Sequence, residues 1–210
     1  MTDNIQFYTN PMSRGRMVRW MLEEVGQPYD THVLDYGTTM KAPEYLALNP
    51  MGKVPTILDR GVVVTEVAAI CAYLADAYPQ AGLAPALHDP MRGIYLRWLF
   101  FTAGPVEAAT TARSLGLLAP AEKAAMVGYG SFDETMDALE AAVSGPGPYI
   151  LGEQFSAADV YIGSQIGFGL MFKSMPDRDA FKAYWSRISD RPAAVRAREL
   201  DDALMAAAKA

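Results

Sequence analysis

The N-terminal segment places an amphipathic helix pattern between two short strand patterns. "IQFYT" is the first strand candidate, "SRGRMVRWMLEEVG" carries apolar side chains at helical spacing, and "THVLDY" is the second strand candidate. Gly26 and Pro28 end the helix pattern. Because two strands joined by a helix pair in parallel through a right-handed crossover, this segment predicts a βαβ unit.

A hairpin pattern and a second helix pattern follow the βαβ unit. "VPTIL" and "VVV" flank Asp59-Arg60-Gly61, a composition typical of a tight hairpin turn, and a helix pattern begins near Glu66. The hairpin adds two antiparallel strands to the parallel pair. The sequence therefore predicts an α/β N-terminal domain with a four-stranded mixed sheet.

The remainder of the chain has only helix patterns. "YPQAGLAPALHDP" is rich in proline, alanine and glycine, as expected of a domain boundary. Beyond it, "MRGIYLRWLFFTAG" and "EKAAMVGYGSFDETMDALEAAV" predict two long helices. We therefore predict an N-terminal domain over residues 1–79, a linker over 80–89 and an all-helical C-terminal domain over 90–210.

The stretch "FSAADVYIG" has the pattern of a well-defined helix start. Ser156 is the predicted N-cap, and Asp159, three residues later, can accept a hydrogen bond from the Ser156 backbone N–H. Phe155 and Val160 occupy the positions of a hydrophobic staple. We interpret this motif as a folding device and not as a functional site.

Charge and residue inventory argue against several function classes. The net charge of -6 gives no overall positive field to attract nucleic acid or an anionic membrane. No apolar run approaches the length of about 20 residues needed to span a membrane, and the N-terminus lacks a signal-peptide pattern, so we expect a cytoplasmic protein. One cysteine and two histidines argue against a disulfide framework and a metal site.

Two features near the hairpin are candidates for ligand binding. Pro55 begins a strand without a backbone donor, so Val54 is able to pair with an extended peptide ligand; the alternative is an ordinary edge proline. With Thr65 as the N-cap, Glu66 falls in the first helical turn, where the helix dipole favours an acid. Alternatively, Glu66 and the free N–H groups there together bind a zwitterion, such as an amino-acid end.

These candidates lie in segments that resemble the cytosolic glutathione S-transferase superfamily, in particular bacterial-type members similar to the theta, zeta and beta classes. The resembling segments are "MVRWMLEEVGQPY", "APEYLALNPMGKVPTILDRG", "TEVAAICAYLAD", "YILGEQFSAADVYIG" and "SDRPAAVRARE". The resemblance implies a thioredoxin-like N-terminal domain, an all-helical C-terminal domain and a homodimer. It also implies a cytoplasmic detoxification enzyme with glutathione as co-substrate.

The resemblance also implies roles for individual residues. Pro55 would follow a cis peptide bond, and Val54 would pair with the cysteinyl part of glutathione. Glu66 and Val67 would hold the γ-glutamyl end, and Lys53, in preference to Lys41, would face the glycyl carboxylate.

Val67 departs from the family pattern, which has serine or, less often, threonine at this position. Its side chain cannot provide the hydroxyl hydrogen bond to the γ-glutamyl carboxylate, although its backbone N–H remains. Losing such a bond weakens binding by roughly ten- to a hundredfold. The sequence therefore predicts a weakened glutathione site or one adapted to another ligand.

A glutathione transferase also needs a hydrogen-bond donor beside the thiol, because the thiolate is the reactive form. In "YTNPMSRGR", Ser13 falls where related motifs have their serine; its alternative role is to cap the first helix. Thr9 and Asn10 are alternative donors. For the electrophile we consider the apolar side chains Trp98, Phe101, Pro105, Phe168 and Phe172.

The leading functional hypothesis is a transferase that conjugates glutathione to small hydrophobic electrophiles, or reduces a peroxide with it. The main alternative is a glutathione-transferase-like binding or interaction protein without significant transferase activity, motivated by Val67 and the uncertain donor. A glutathione-dependent isomerase or dehalogenase would share the same binding site. We expect no nucleic acid, membrane or metal partner.

Overall fold

The computed structural model describes residues 4–208, and these divide into two compact units. The sheet unit contains the chain up to Ala81 together with the segment from Arg191 onward, and the helical unit is Gly82–Asp190. The last helix therefore groups with the sheet unit. The bounds 1–79, 80–89 and 90–210 stay predictions.

The sheet unit contains the predicted four-stranded mixed sheet. Its strands, in the spatial order β2-β1-β3-β4, are β1 (Ile5–Thr9), β2 (Tyr29–Val33), β3 (Thr56–Asp59) and β4 (Val62–Thr65). β1 and β2 are parallel, while β3 is antiparallel to both β1 and β4. This arrangement confirms the predicted βαβ unit followed by a hairpin.

Besides short 3-10 and π-helical turns and isolated β-bridges, the remaining secondary structure in residues 4–208 consists of α-helices. In chain order they are α1 (Gly15–Val25), α2 (Pro43–Leu46), α3 (Val67–Ala77), α4 (Met91–Phe101), α5 (Glu107–Ser114), α6 (Phe132–Val143), α7 (Ala157–Met171), α8 (Asp179–Ser189) and α9 (Pro192–Ala207). In the sheet unit, α1 packs against α3 and α9. The strand residues Ile5, Phe7 and Thr9 are buried, since alternate side chains of β1 point to the same face.

A buried ion pair links α9 to α1. Arg19 Nε donates to Asp201 Oδ1 at 2.7 Å, and both side chains are almost fully buried. The Arg19 guanidinium also lies over the Phe7 ring, 5.1 Å from its centroid. Because a charge buried without a partner is costly, loss of either residue would destabilise the packing of α9 on α1.

The helical unit departs from the sequence prediction in one segment. The long helix predicted from "EKAAMVGYGSFDETMDALEAAV" is wrong, because a short 3-10 turn (Ala121–Met126) is followed by a break before α6. Gly130 in this break has a φ of 62°. Ser131 then caps α6 through a capping box with Glu134, which explains why the helix begins there.

The helix start predicted at Ser156 is confirmed. Ser156 is the N-cap of α7, and its backbone N–H and hydroxyl both donate to Asp159 Oδ2 at 2.8 Å. The other carboxylate oxygen of Asp159 accepts from the Ile150 N–H at 2.8 Å and the Tyr184 hydroxyl at 2.6 Å. The motif therefore joins α7, α8 and the preceding loop. None of the helices within residues 4–208 has the length and apolar character required to cross a membrane.

Candidate functional site

Strand register brings the predicted site residues to one end of the sheet. Tyr8 of β1 lies opposite Thr56 of β3, and Thr56 lies opposite Thr65 of β4. Because β3 is antiparallel to both neighbours, its first residue is adjacent to the last residues of β1 and β4. The loop after β1, the loop before β3 and the start of α3 therefore share this end, which we call the site edge.

Val54 presents a free backbone at the site edge. The Val54–Pro55 peptide bond is cis, as the resemblance implied. Val54 is partly buried, and neither its N–H nor its C=O forms a hydrogen bond with any described residue. Since backbone polar groups are normally paired, this segment is suited to pairing with an extended peptide.

The two candidate lysines differ in their surroundings. Lys41 Nζ donates to the Met51 carbonyl at 2.9 Å, so this side chain holds its own loop. Lys53 is exposed and directly precedes Val54. Gly52 permits the close approach of these loops: its φ is 55°, and a side-chain Cβ there would lie 2.7 Å from the Met40 carbonyl oxygen. Lys53 remains the predicted contact for a carboxylate.

Glu66 has an unusual backbone conformation at the start of α3. The structure corrects the expected cap: α3 begins at Val67, so Glu66 itself, and not Thr65, is the N-cap residue. Its φ of 68° and ψ of 122° lie outside the regions that L-residues prefer. Such strain costs on the order of 1–3 kcal/mol and is concentrated at functional sites.

The Glu66 side chain shows no structural role that would explain this strain. It is exposed, and its carboxylate has no hydrogen bond or ion pair with the residues between Asn4 and Ala208. Val67, by contrast, is buried, and its N–H belongs to the first turn of α3, where backbone donors have no partner inside the helix. A carboxylate and free N–H donors at one helix start can bind the ammonium and carboxylate of an amino-acid end.

Ser13 lies in the loop between β1 and α1 with its hydroxyl in two local hydrogen bonds. Its Oγ donates to the Asn10 carbonyl at 2.7 Å and accepts from the Gly15 N–H at 2.9 Å. The Gly15 bond is the capping interaction considered as an alternative, although the N-cap position of α1 is Arg14. Because the single hydroxyl proton is donated to the Asn10 carbonyl, Ser13 donates to a thiolate only when this proton turns from Asn10 toward the sulfur.

The alternative donors are less available. Thr9 is 0% exposed, and its Oγ1 has no hydrogen-bond partner within the described chain. It lies against Gly15, where an added Cβ would approach Thr9 Oγ1 to 1.9 Å. Asn10 is engaged at both ends, because its Nδ2 donates to the Leu34 carbonyl at 2.8 Å and its Oδ1 accepts from the Met12 N–H at 2.9 Å.

Cys71 has none of the properties of a reactive thiol. Its side chain is fully buried in α3, and this burial raises the pKa of the Cys71 thiol to about 12. The thiolate is therefore scarcely populated at neutral pH. Any nucleophilic sulfur at the site edge must come from a ligand.

Sequence reasoning assigned no role to Tyr45 and Asn49, which lie beneath the loop that carries Val54. Both side chains donate to the Lys53 carbonyl oxygen, Tyr45 at 2.5 Å and Asn49 at 2.8 Å. Their spacing of four residues is a signal, because residues four apart share one face of a helical turn. This spacing is common in helical turns, so it could not indicate that both side chains donate to the Lys53 carbonyl.

Comparison with known proteins identifies the family to which this chain is similar. The family model described as the glutathione S-transferase N-terminal domain matches residues 12–77. Glutathione S-transferase F10 of Arabidopsis thaliana is 30% identical over 190 residues, which cover 82% of this chain and 86% of the relative.

Solved structures show the same similarity over both units. A glutathione transferase from Methylococcus capsulatus has a TM-score of 0.79 and 28% identity, covering 94% of this chain and 98% of its own. A glutathione transferase homologue from Sulfitobacter, solved with bound glutathione, has a TM-score of 0.73 and 25% identity, covering 94% and 98% of the two chains.

Proposed function

The chain belongs to the cytosolic glutathione S-transferase superfamily, and on that premise we propose that it conjugates the thiol of glutathione to small hydrophobic electrophiles. The supporting observation is the site edge, where the unpaired Val54 backbone lies beside the strained Glu66 and the start of α3. Glutathione is a peptide with an amino-acid group at its γ-glutamyl end, so it has the groups that these elements can pair with. Peroxide reduction would use the same thiolate and is assayed beside conjugation.

Each element of the site edge has a separate task in this proposal. Val54 pairs with the cysteinyl backbone, and Pro55, which lacks an N–H, leaves Val54 as the donor at this point. Glu66 binds the ammonium of the γ-glutamyl group, and the Val67 N–H binds the α-carboxylate of the same group. Lys53 faces the glycyl carboxylate. In the reaction the thiol loses its proton to solvent, the sulfur forms a bond to the electrophilic carbon, and the leaving group departs.

We propose Ser13 as the donor that stabilises the thiolate. Ser13→Ala is expected to lower kcat/KM with an aromatic chloride electrophile by about ten- to a hundredfold, because a hydrogen bond to a charged group is lost. The pH–rate profile should shift to higher pH, since the thiolate loses stabilisation. Glutathione affinity measured at a pH below the thiol pKa should change little.

Thr9→Val and Asn10→Ala are the matching variants for the alternative donors. If either of them shifts the pH–rate profile while Ser13→Ala does not, the donor assignment is wrong. A lower melting temperature of Ser13→Ala with an unchanged pH–rate profile would leave only the helix-capping role.

Val67 provides a test of the γ-glutamyl site. Val67→Ser is expected to strengthen glutathione binding by about tenfold, and at most a hundredfold, because the added hydroxyl can donate to the γ-glutamyl carboxylate. Calorimetric titration with reduced glutathione measures this change. Val67→Ala is the matched control, since it also shortens this buried side chain but adds no hydroxyl. Equal affinities for the serine and alanine variants, or no binding by any of the proteins, would contradict the proposed site.

The remaining proposals concern the second substrate and assembly. We propose that aromatic side chains of the helical unit bind the electrophile. The Phe168 and Phe172 rings pack edge to face with centroids 6.0 Å apart, and Phe172 is exposed, whereas Trp98 is buried.

We also propose a cytoplasmic homodimer with a role in detoxification. The proposed dimer is supported by β4, one of the two outer strands of the sheet, which exposes Val62 and Val63.

A further inference from the structure

Tyr45 connects the two chain segments on either side of Val54–Pro55. Its hydroxyl donates to the Lys53 carbonyl oxygen at 2.5 Å and lies 2.8 Å from Thr56 Oγ1. The side chain is 4% exposed, and its ring packs beside the Tyr8 ring with centroids 5.6 Å apart. Burial raises the pKa of Tyr45, so the hydroxyl keeps its proton and remains a donor across the neutral range.

These contacts control the direction of the Val54 N–H. The Lys53 carbonyl and the Val54 N–H belong to one planar peptide unit, and in a trans unit they point in opposite directions. Tyr45 and Asn49 hold the carbonyl from beneath the loop. The Val54 N–H is therefore directed away from them, and it forms no hydrogen bond with the described residues.

We propose that Tyr45 is a positioning residue, which fixes the Val54 peptide unit in the orientation that an extended peptide ligand needs. This inference rests on the proposed function, because it takes glutathione as the ligand that pairs with Val54. A donor that is already oriented binds more tightly, since little conformational entropy is lost when the ligand arrives. Tyr45 itself touches no reacting atom, and its effect passes through the Lys53 carbonyl.

The test compares two tyrosine-to-phenylalanine variants in the same unit. Tyr45→Phe removes the hydroxyl under the loop, whereas Tyr78→Phe removes a buried hydroxyl that donates to Asp59, at the opposite end of β3. Tyr45→Phe is expected to raise both the calorimetric Kd and the KM for reduced glutathione by about five- to tenfold. The KM for the electrophile and kcat should stay within twofold, and Tyr78→Phe should alter neither glutathione constant.

A second measurement needs no ligand. The ¹⁵N relaxation order parameter of the Val54 amide should fall from the rigid value of about 0.85 toward 0.6 in free Tyr45→Phe, with the Thr65 amide unchanged. An unchanged Val54 order parameter, or equal losses of glutathione affinity in both variants, would overturn the positioning role. A mobile Val54 in a protein whose wild type binds no glutathione would instead contradict the proposed function and leave Tyr45 with a purely structural role.

Discussion

Asp159→Ala is expected to lower the free energy of unfolding of the helical unit by about 3–5 kcal/mol. The substitution leaves the Ile150 N–H, the Ser156 N–H and the Tyr184 hydroxyl without their acceptor. Tyr184 and Ser156 are almost fully buried, so water cannot readily replace the lost carboxylate. Each buried donor left unpaired costs about 1–3 kcal/mol. Urea denaturation followed by far-UV circular dichroism measures the loss.

The chain contains a matched control for Asp159 in its second capping box. Ser131 and Glu134 form the same motif at the start of α6, where the bonds are exposed to solvent. Glu134→Ala should cost about 1 kcal/mol, as is usual for the loss of a cap. Asp159→Asn keeps one acceptor oxygen at this position, so it should give an intermediate loss of unfolding free energy. This variant can still be measured if the alanine variant does not fold. Similar losses for the Asp159→Ala and Glu134→Ala variants would show that burial adds nothing to the motif.

The two capping boxes show what a local sequence pattern can predict and what it cannot. The Ser156–Asp159 pair could be predicted because its residues are three apart, and the Arg60-Gly61 turn could be predicted from its composition. Both turn residues have positive φ, 51° and 81°, as a tight hairpin of twisted strands requires. Tyr184, whose hydroxyl donates to Asp159 in addition to the capping bonds, is distant in sequence, so this contact could not be predicted from any local pattern.

The candidate site shows the same limit. Lys53, Val54, Pro55 and Glu66 were predicted from motif and resemblance, and the sheet register brings their segments together, while their role in binding stays a prediction. The backbone of Glu66 was not foreseen, because a glutamate at a helix start is usually stabilised by the dipole in an ordinary conformation. Its positive φ is imposed by the connection between β4 and α3, which only the folded chain defines.

The position of the last helix was also inaccessible to local reasoning. The sequence predicted that the C-terminal part of the chain is helical but not which elements its helices contact, and α9 packs on α1 through the buried Arg19–Asp201 pair. The two residues are far apart in sequence, and each of them, taken alone, is a residue type that is typical of an exposed helix surface. Contacts of this kind depend on which helix faces meet, and periodicity does not encode that choice.

Replacing Glu66 by glycine is expected to have opposite effects on binding and stability. Loss of the carboxylate removes the partner of the γ-glutamyl ammonium, so affinity for glutathione should fall by a hundredfold or more. Glycine adopts positive φ without a steric penalty, so the free energy of unfolding should rise by about 1 kcal/mol after its greater loss of chain entropy is subtracted. Calorimetric titration and urea denaturation of the same preparation measure the two effects.

Two further variants separate charge from backbone strain. Glu66→Gln keeps the strained backbone and removes only the charge, so it should lose ten- to a hundredfold in affinity with unchanged stability. Glu44→Gln removes an exposed acid from the first turn of α2 and should change neither quantity. If Glu66→Gly gains stability and still binds glutathione as the wild type does, the Glu66 carboxylate does not bind the γ-glutamyl ammonium, and the strain does not serve glutathione binding. If it loses both affinity and stability, Glu66 supports the fold, and the γ-glutamyl ammonium must be bound elsewhere.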